Sequence, residues 1–274
     1  MRLFAIAALA ALLGIANSHP VLACDKPASV CLRDADGSFA LIRQNQPATV
    51  LFDESANPAI RHVAANFAMD LERVSGAAAL VANDTAGVAG PVVVIGVLGQ
   101  SAIIDALVAS GKVHPGELDG HWEAFHIEVV DNPWPNVPRA LVIVGSDRRG
   151  VVFGTYDISE RIGVSPWYWW ADVPVEHQSE VFVTAGSRDD RPYVRYRGFF
   201  INDEAPSMTT WVANHFDGWN ADMYEHMFEL LLRLKGNYLG PRCGRRATST
   251  STIRATRFSL TRWVSSWAPR TTSR

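Results

Sequence analysis

The chain has 274 residues, 48% of them hydrophobic and 19% charged, with a formal net charge of −3. That balance excludes an intrinsically disordered chain and gives no electrostatic footprint for nucleic acid. The length admits one large domain or two modest ones.

Residues 1–23 read as an export signal. Arg2 supplies the positive start, residues 3–15 are an apolar run too short for a comfortable membrane span, and Val21-Leu22-Ala23 precedes a cut. The mature chain then starts at Cys24 and is exported, to the periplasm or beyond. Two readings of Cys24 stay open. It is the lipidated first residue of a loosely matching lipobox, or it pairs with Cys31 in an oxidising compartment. Only Cys243 is then left over.

Residues 24–190 read as an α/β domain. Phe39-Ala40-Leu41-Ile42 and Thr49-Val50-Leu51-Phe52 are short strands. Asn57-Pro58 is an N-cap with proline at the first helical position. Ile60, Val63, Phe67, Leu71 and Val74 follow at helical spacing, up to Gly76. Residues 92–98 form a continuous apolar strand, the pattern of a strand covered on both faces. A short helix spans 101–111. Phe125, Ile127 and Val129 alternate with Ala124, His126 and Glu128, which predicts a half-exposed strand. Residues 131–138, with three prolines, predict a loop. Ala140-Leu141-Val142-Ile143-Val144-Gly145 is a second buried strand, with a helix over 150–161.

Two glycine patterns sit between a strand and a helix: Gly96-Val97-Leu98-Gly99-Gln100-Ser101 and Gly145-Ser146-Asp147-Arg148-Arg149-Gly150. Either is able to offer backbone N–H groups to a phosphate. Neither has the spacing of a dinucleotide or Walker loop, and tight strand-to-helix turns explain both. No cofactor is expected. The histidines at 62, 114, 121, 126, 177, 215 and 226 lack metal-ligand spacing, so no metal site is expected. Trp167-Tyr168-Trp169-Trp170 is the densest aromatic cluster. It either seals an interface between domains or offers flat rings to a sugar, with Asp172 beside it.

The stretch that carries chemistry is Tyr196-Arg197-Gly198-Phe199-Phe200-Ile201-Asn202-Asp203-Glu204-Ala205-Pro206. An aromatic, β-branched strand ends in an amide and two carboxylates. Acids at the carboxyl end of a barrel strand belong to the face where active sites collect. Residues 206–219 read as an elaborate loop. Asn220 reads as an N-cap, Met223, Met227, Leu230, Leu231 and Leu234 as one helical face, and Gly236 as the helix C′ residue. Asn237-Tyr238-Leu239 opens another strand. The whole is one β/α unit of a parallel sheet or barrel.

The stretch at 196–206, together with Phe228-Glu229-Leu230-Leu231-Leu232-Arg233-Leu234-Lys235-Gly236-Asn237-Tyr238-Leu239, resembles the start of the catalytic barrel in glycosyl hydrolase family 115, the xylan α-1,2-glucuronidases. Residues 165–174, Ser-Pro-Trp-Tyr-Trp-Trp-Ala-Asp-Val-Pro, resemble the same family. The resemblance implies an α/β fold: a non-catalytic N-terminal domain, then at 191–239 the first β/α unit of a TIM-type (β/α)8 barrel. It implies hydrolysis of α-1,2-linked glucuronic acid, or its 4-O-methyl ether, from glucuronoxylan or its oligosaccharides by an inverting pair of carboxylates. Such a pair stands roughly 6.5–9.5 Å apart on opposite faces of the sugar. The residues carried over are Asp203 and Glu204 as catalytic candidates and Asn202, Trp169, Trp170 and Asp172 as substrate-binding candidates. Asp203 and Glu204 are neighbours, so a strand points their side chains apart and they are not the whole pair. If Phe200 faces the helices and Ile201 the barrel interior, Asp203 is the one that reaches the pocket.

From Gly240 the composition changes. No Asp or Glu follows Glu229, and arginines at 242, 245, 246, 254, 257, 262, 270 and 274 stand among Thr and Ser. The resemblance reads as stopping at Leu239, so residues 240–274 are expected to be a disordered tail translated in a shifted frame, or a basic polyanion-binding tail. A closed eight-stranded barrel needs on the order of 250 residues, so the barrel here is expected to be incomplete and the chain inactive alone. The other readings are a carbohydrate-binding α/β module using the Trp cluster and a nucleotide- or phosphate-binding α/β protein using a glycine turn.

Overall fold

The computed structural model describes residues 24–202 and 205–240. The expected export signal, Cys243, the expected tail and both catalytic candidates, Asp203 and Glu204, lie outside the described residues.

The described chain opens with four short strands, β1 (Val30–Cys31), β2 (Phe39–Arg43), β3 (Gln46–Pro47) and β4 (Thr49–Leu51). Helix α1 (Pro58–Ser75) follows, then β5 (Val81–Ala82), β6 (Val92–Val97) and α2 (Ala102–Ala109). A long hairpin, β7 (Phe125–Trp134) and β8 (Val137–Gly145), leads to α3 (Arg148–Arg161). Strands β9 (Val181–Val183) and β10 (Gly186–Asp190) come next. The last unit is β11 (Gly198–Phe200), α4 (Ser207–Phe216), α5 (Ala221–Arg233) and β12 (Tyr238–Gly240).

The main sheet has the order β10-β7-β8-β6-β4-β5. Its β4, β5, β6 and β8 run parallel, while at one edge β7 runs against β8 and β10 against β7. Strand β6 shows why it is apolar throughout. Val93 and Ile95 face a core shared with α1 and α3, and Val92 and Val94 face a second core with Ile104 and Leu107 of α2. A second, antiparallel sheet, β1-β9-β2-β3, closes one side. Cys24 and Cys31 are disulfide-bonded, with Cα atoms 5.3 Å apart. That pairing leaves no thiol at Cys24 for a lipid, and of the two readings only the disulfide stands.

The first of those two cores also takes in the last unit. Met223, Met227, Phe228 and Leu232 of α5 join Val63 and Phe67 of α1 and Val152 and Tyr156 of α3 in one cluster. The apolar face of α5 therefore has a partner without further barrel elements.

Several expectations are corrected. Residues 131–138 are the tip of the β7–β8 hairpin rather than a loop: a register shift between Asp131 and Trp134 absorbs Pro133, and Asn136 turns the chain in the left-handed region. His126 is buried rather than half-exposed, because β10 covers the edge of β7. Residues 207–216 are a helix, not a loop. Its start offers no side-chain cap, but Met208, Trp211, Val212 and His215 keep helical spacing. At the end of α5 the left-handed residue is Lys235 (φ 55°), not Gly236. Gly236 is there for closeness: a Cβ on it would lie 2.5 Å from Leu231 Cδ1.

Candidate active site

Strands β11 and β12 pair in parallel, Gly198 opposite Tyr238 and Phe199 opposite Leu239. Gly198 permits that approach, since a Cβ there would lie 1.6 Å from the Tyr238 carbonyl oxygen. Alternation sorts the strand residues to two sides. Ile201 is buried in the cluster with Val212 of α4 and Met223 of α5, and Phe199 and Leu239 pack against the same cluster. Phe200 and Tyr238, 54% and 50% exposed, mark the open side. The assumed facing, Phe200 to the helices and Ile201 to the interior, is therefore reversed. The Phe200 ring is left open because α4 and α5 lie against Phe199 and Ile201. Asn202 follows on the exposed side of the chain.

Trp169 and Trp170 are half-buried between the loop at 165–172 and helices α4 and α5. Trp170 and Trp211 stack at 5.4 Å and 25°, and His215 stacks on Trp211 at 4.2 Å and 19°. Trp169 meets His226 at 4.0 Å and Phe216 at 5.7 Å. Trp170 Nε1 donates to the His226 carbonyl at 3.2 Å. These rings spend much of their flat surface on one another. Asp172 lies exposed on the same loop, in the left-handed region (φ 49°).

At the opposite, leading ends of β11 and β12 sits a residue that no pattern in the sequence singles out, Glu123. Its carboxylate is 3% exposed. Oε2 accepts from Arg197 Nη2 at 2.7 Å, Oε1 from Arg149 Nη1 at 2.8 Å, and both oxygens from Asn237 Nδ2 at 2.9 Å. The Arg197 N–H donates to Asn237 Oδ1 at 3.0 Å, and Arg197 Nε donates to the Lys235 carbonyl at 2.9 Å. Arg197 and Asn237 are the residues just before the two strands, which is the signal that was legible for them.

A second charged group ties the same unit down from below. Lys235 Nζ donates to Asp157 Oδ1 at 2.8 Å and to Asp190 Oδ2 at 3.1 Å, and Arg161 Nε donates to Asp157 Oδ2 at 2.7 Å. Arg188 also pairs with Asp157. Burial favours a protonated Asp157, but the charge of Arg188, the Arg161 hydrogen bond and Lys235 outweigh it and hold the carboxyl at about 2. Tyr168 is pushed up to about 12 by burial and by the charge of Glu229, to which its hydroxyl donates at 3.0 Å.

The glycine turns carry no anion cradle. Asp147 caps α3, accepting from the Arg149 and Gly150 N–H groups at 2.9 Å each. Ser101 caps α2, and Asp53 and Asp105 accept from the Ile103 and Gly99 N–H groups. Carboxylates already fill both helix starts, which repels a phosphate. Among the described residues no three His, Cys, Asp or Glu side chains group to hold a metal, and no helix is long and apolar enough to cross a membrane.

Residues 189–259 match the family model of glycosyl hydrolase family 115. The match runs past Leu239, so the resemblance does not stop there. Among solved structures the chain is similar to a family GH115 4-O-methyl-α-glucuronidase, BtGH115A, with specificity for decorated arabinogalactans. The TM-score is 0.69 and the identity 29%, over 82% of this chain and 28% of that one. The chain thus spans little more than a quarter of that protein's length. A Streptomyces plicatus β-hexosaminidase is similar at a TM-score of 0.43 and 17% identity, over 78% of this chain and 32% of that one. No curated protein matches. The chain thus shares with glycosyl hydrolase family 115 the segment at 189–259 and the fold of the matching part of one of its α-glucuronidases.

Proposed function

We propose that the chain carries the N-terminal α/β domain and the opening β/α unit of an exported α-glucuronidase. Its substrate class is a plant polysaccharide bearing α-linked 4-O-methylglucuronic acid, glucuronoxylan by the family resemblance or a decorated arabinogalactan by the similar structure. The observation that carries the reading is the family segment itself, in which a strand with one open face runs into Asn202-Asp203-Glu204.

The chemistry requires two carboxyl groups. One, protonated, donates to the leaving sugar oxygen, and the other, ionised, activates water from the opposite face. Asp203 and Glu204 are the candidates for one member of that pair; both lie outside the described residues. Asn202, at the end of the same strand, is the residue we assign to a sugar hydroxyl. The second carboxylate belongs to a later strand. The Cys24–Cys31 disulfide supports an oxidising compartment.

A carbohydrate-binding module built on Trp169 and Trp170 is the weaker reading, since Trp211, His215, Phe216 and His226 occupy so much of that aromatic surface. The test is to incubate the 274-residue chain with 4-O-methylglucuronoxylan and with decorated arabinogalactan. We expect no 4-O-methylglucuronic acid above a heat-killed control. Turnover overturns the assignment of the second carboxylate to a later strand.

A further inference from the structure

We propose that Glu123 is a positioning residue, which sets the register of the first two barrel strands and with it the place of the strand end that carries Asn202 and the two acids. The inference rests on reading that strand end as the candidate site.

Two parallel strands have no hairpin to fix their register, and a two-stranded sheet is marginal by itself. The ladder between β11 and β12 is three residues long. Something outside it must hold the strands against slippage, because a one-residue slip would turn Phe200 inward and Ile201 outward. Packing of Phe199, Ile201 and Leu239 against the cluster of α5 favours the same register, and it acts on one face only. Glu123 is placed to hold the strands, since it grips from outside both residues that lead into them, where the Asn237 and Tyr238 N–H groups also donate to the Arg197 carbonyl at 2.7 and 3.0 Å.

The cost of placing it there is visible. Glu123 has φ 56°, in the left-handed region. A residue with a side chain is strained in that conformation, and glycine would not be. Its backbone N–H donates to Asp147 Oδ2 at 3.0 Å, on the residue that caps α3. The latch is thus built from the α/β domain outward: α3 start, Glu123, then Arg197 and Asn237. Arg149, in the first turn of α3, completes the ring of donors.

Hydrogen exchange on the full chain tests this. In Glu123→Gln the shape stays and the charge is lost. Amides of 198–200 and 238–240 are expected to exchange at least about ten-fold faster, while those of 92–97 and 140–145 are unchanged. Asn237→Asp, which sets two carboxylates face to face, is expected to loosen the same amides. The double variant Glu123→Gln with Asn237→Asp restores an amide opposite a carboxylate and is expected to exchange more slowly than either single variant. Unchanged exchange at 198–200 in Glu123→Gln overturns the proposal. So does an equal acceleration at 92–97, which makes Glu123 a general stability residue, and so does a double variant no better than the singles. No substrate enters the measurement, so the hydrolase reading and this one fail independently.

Discussion

Arg233 of α5 lays its guanidinium along the carboxylate of Asp70 in α1, Nη1 and Nη2 lying 2.9 and 3.0 Å from its two oxygens, with both side chains at most 2% exposed. The rings of Tyr156 and Tyr168 lie 4.4 and 4.9 Å from the cation, and Glu229 Oε1 accepts from its Nε at 2.8 Å. The pair ties the helix of the barrel unit to the first helix of the α/β domain. Breaking a buried pair on one side strands a charge, while removing both partners does not. Asp70→Asn is expected to lose about 3–5 kcal/mol of unfolding free energy, and Asp70→Leu with Arg233→Met distinctly less. Urea unfolding of the three proteins checks this, and equal losses contradict it.

Acid stability follows from Asp157. Its folded pKa of about 2 lies below the ordinary 3.8, so the folded form binds this proton more weakly than the unfolded form does. The contribution is present above about pH 4 and is lost as pH falls through 2. It amounts to about 2 kcal/mol. Unfolding free energies at pH 5 and pH 2.5 should differ more in the native chain than in Asp157→Asn. The same slope in both contradicts the assignment.

His126 predicts the opposite slope near neutrality. Burial works against its charged form, but hydrogen bonds to Glu128 and Asp189 outweigh burial and raise its pKa above 6.5. Nδ1 lies 2.9 Å from Asp189 Oδ1 and Nε2 3.2 Å from Glu128 Oε2. Glu128 also accepts from the His114 N–H, with the His114 ring 3.6 Å away. The stabilisation is complete below pH 6.5 and is lost as pH rises through the raised value. Proton NMR titration of the His126 ring should give a midpoint above 6.5. His126→Gln should flatten the pH dependence of unfolding between 6 and 9, and an unaltered dependence counts against the clamp.

Much of the fold was legible where local and tertiary signals agree. Asn57-Pro58 capped α1, and the apolar runs at 92–97 and 140–145 became the central parallel strands. The misses have physical reasons. β10, Gly-Ser-Arg-Asp-Asp, has no apolar period because it is an edge strand held by Asp189 to His126 and by Arg188 to Asp157. Helix α4 begins without a side-chain cap, so only its apolar spacing announced it. The facing of Phe200 was not legible. Two adjacent bulky apolar residues, Phe200 and Ile201, suit either side of a strand, and only the position of α4 and α5 decides between them. Glu123 was invisible because its partners lie 26, 74 and 114 residues away.

The catalytic claim is tested most directly in a chimera. Residues 24–240 replace the matching part of the similar 4-O-methyl-α-glucuronidase, and release of 4-O-methylglucuronic acid from decorated arabinogalactan is measured. The account predicts turnover by the chimera and a fall in kcat/KM of about 10²–10⁴ on at least one of Asp203→Ala and Glu204→Ala. Turnover undiminished in both variants contradicts it.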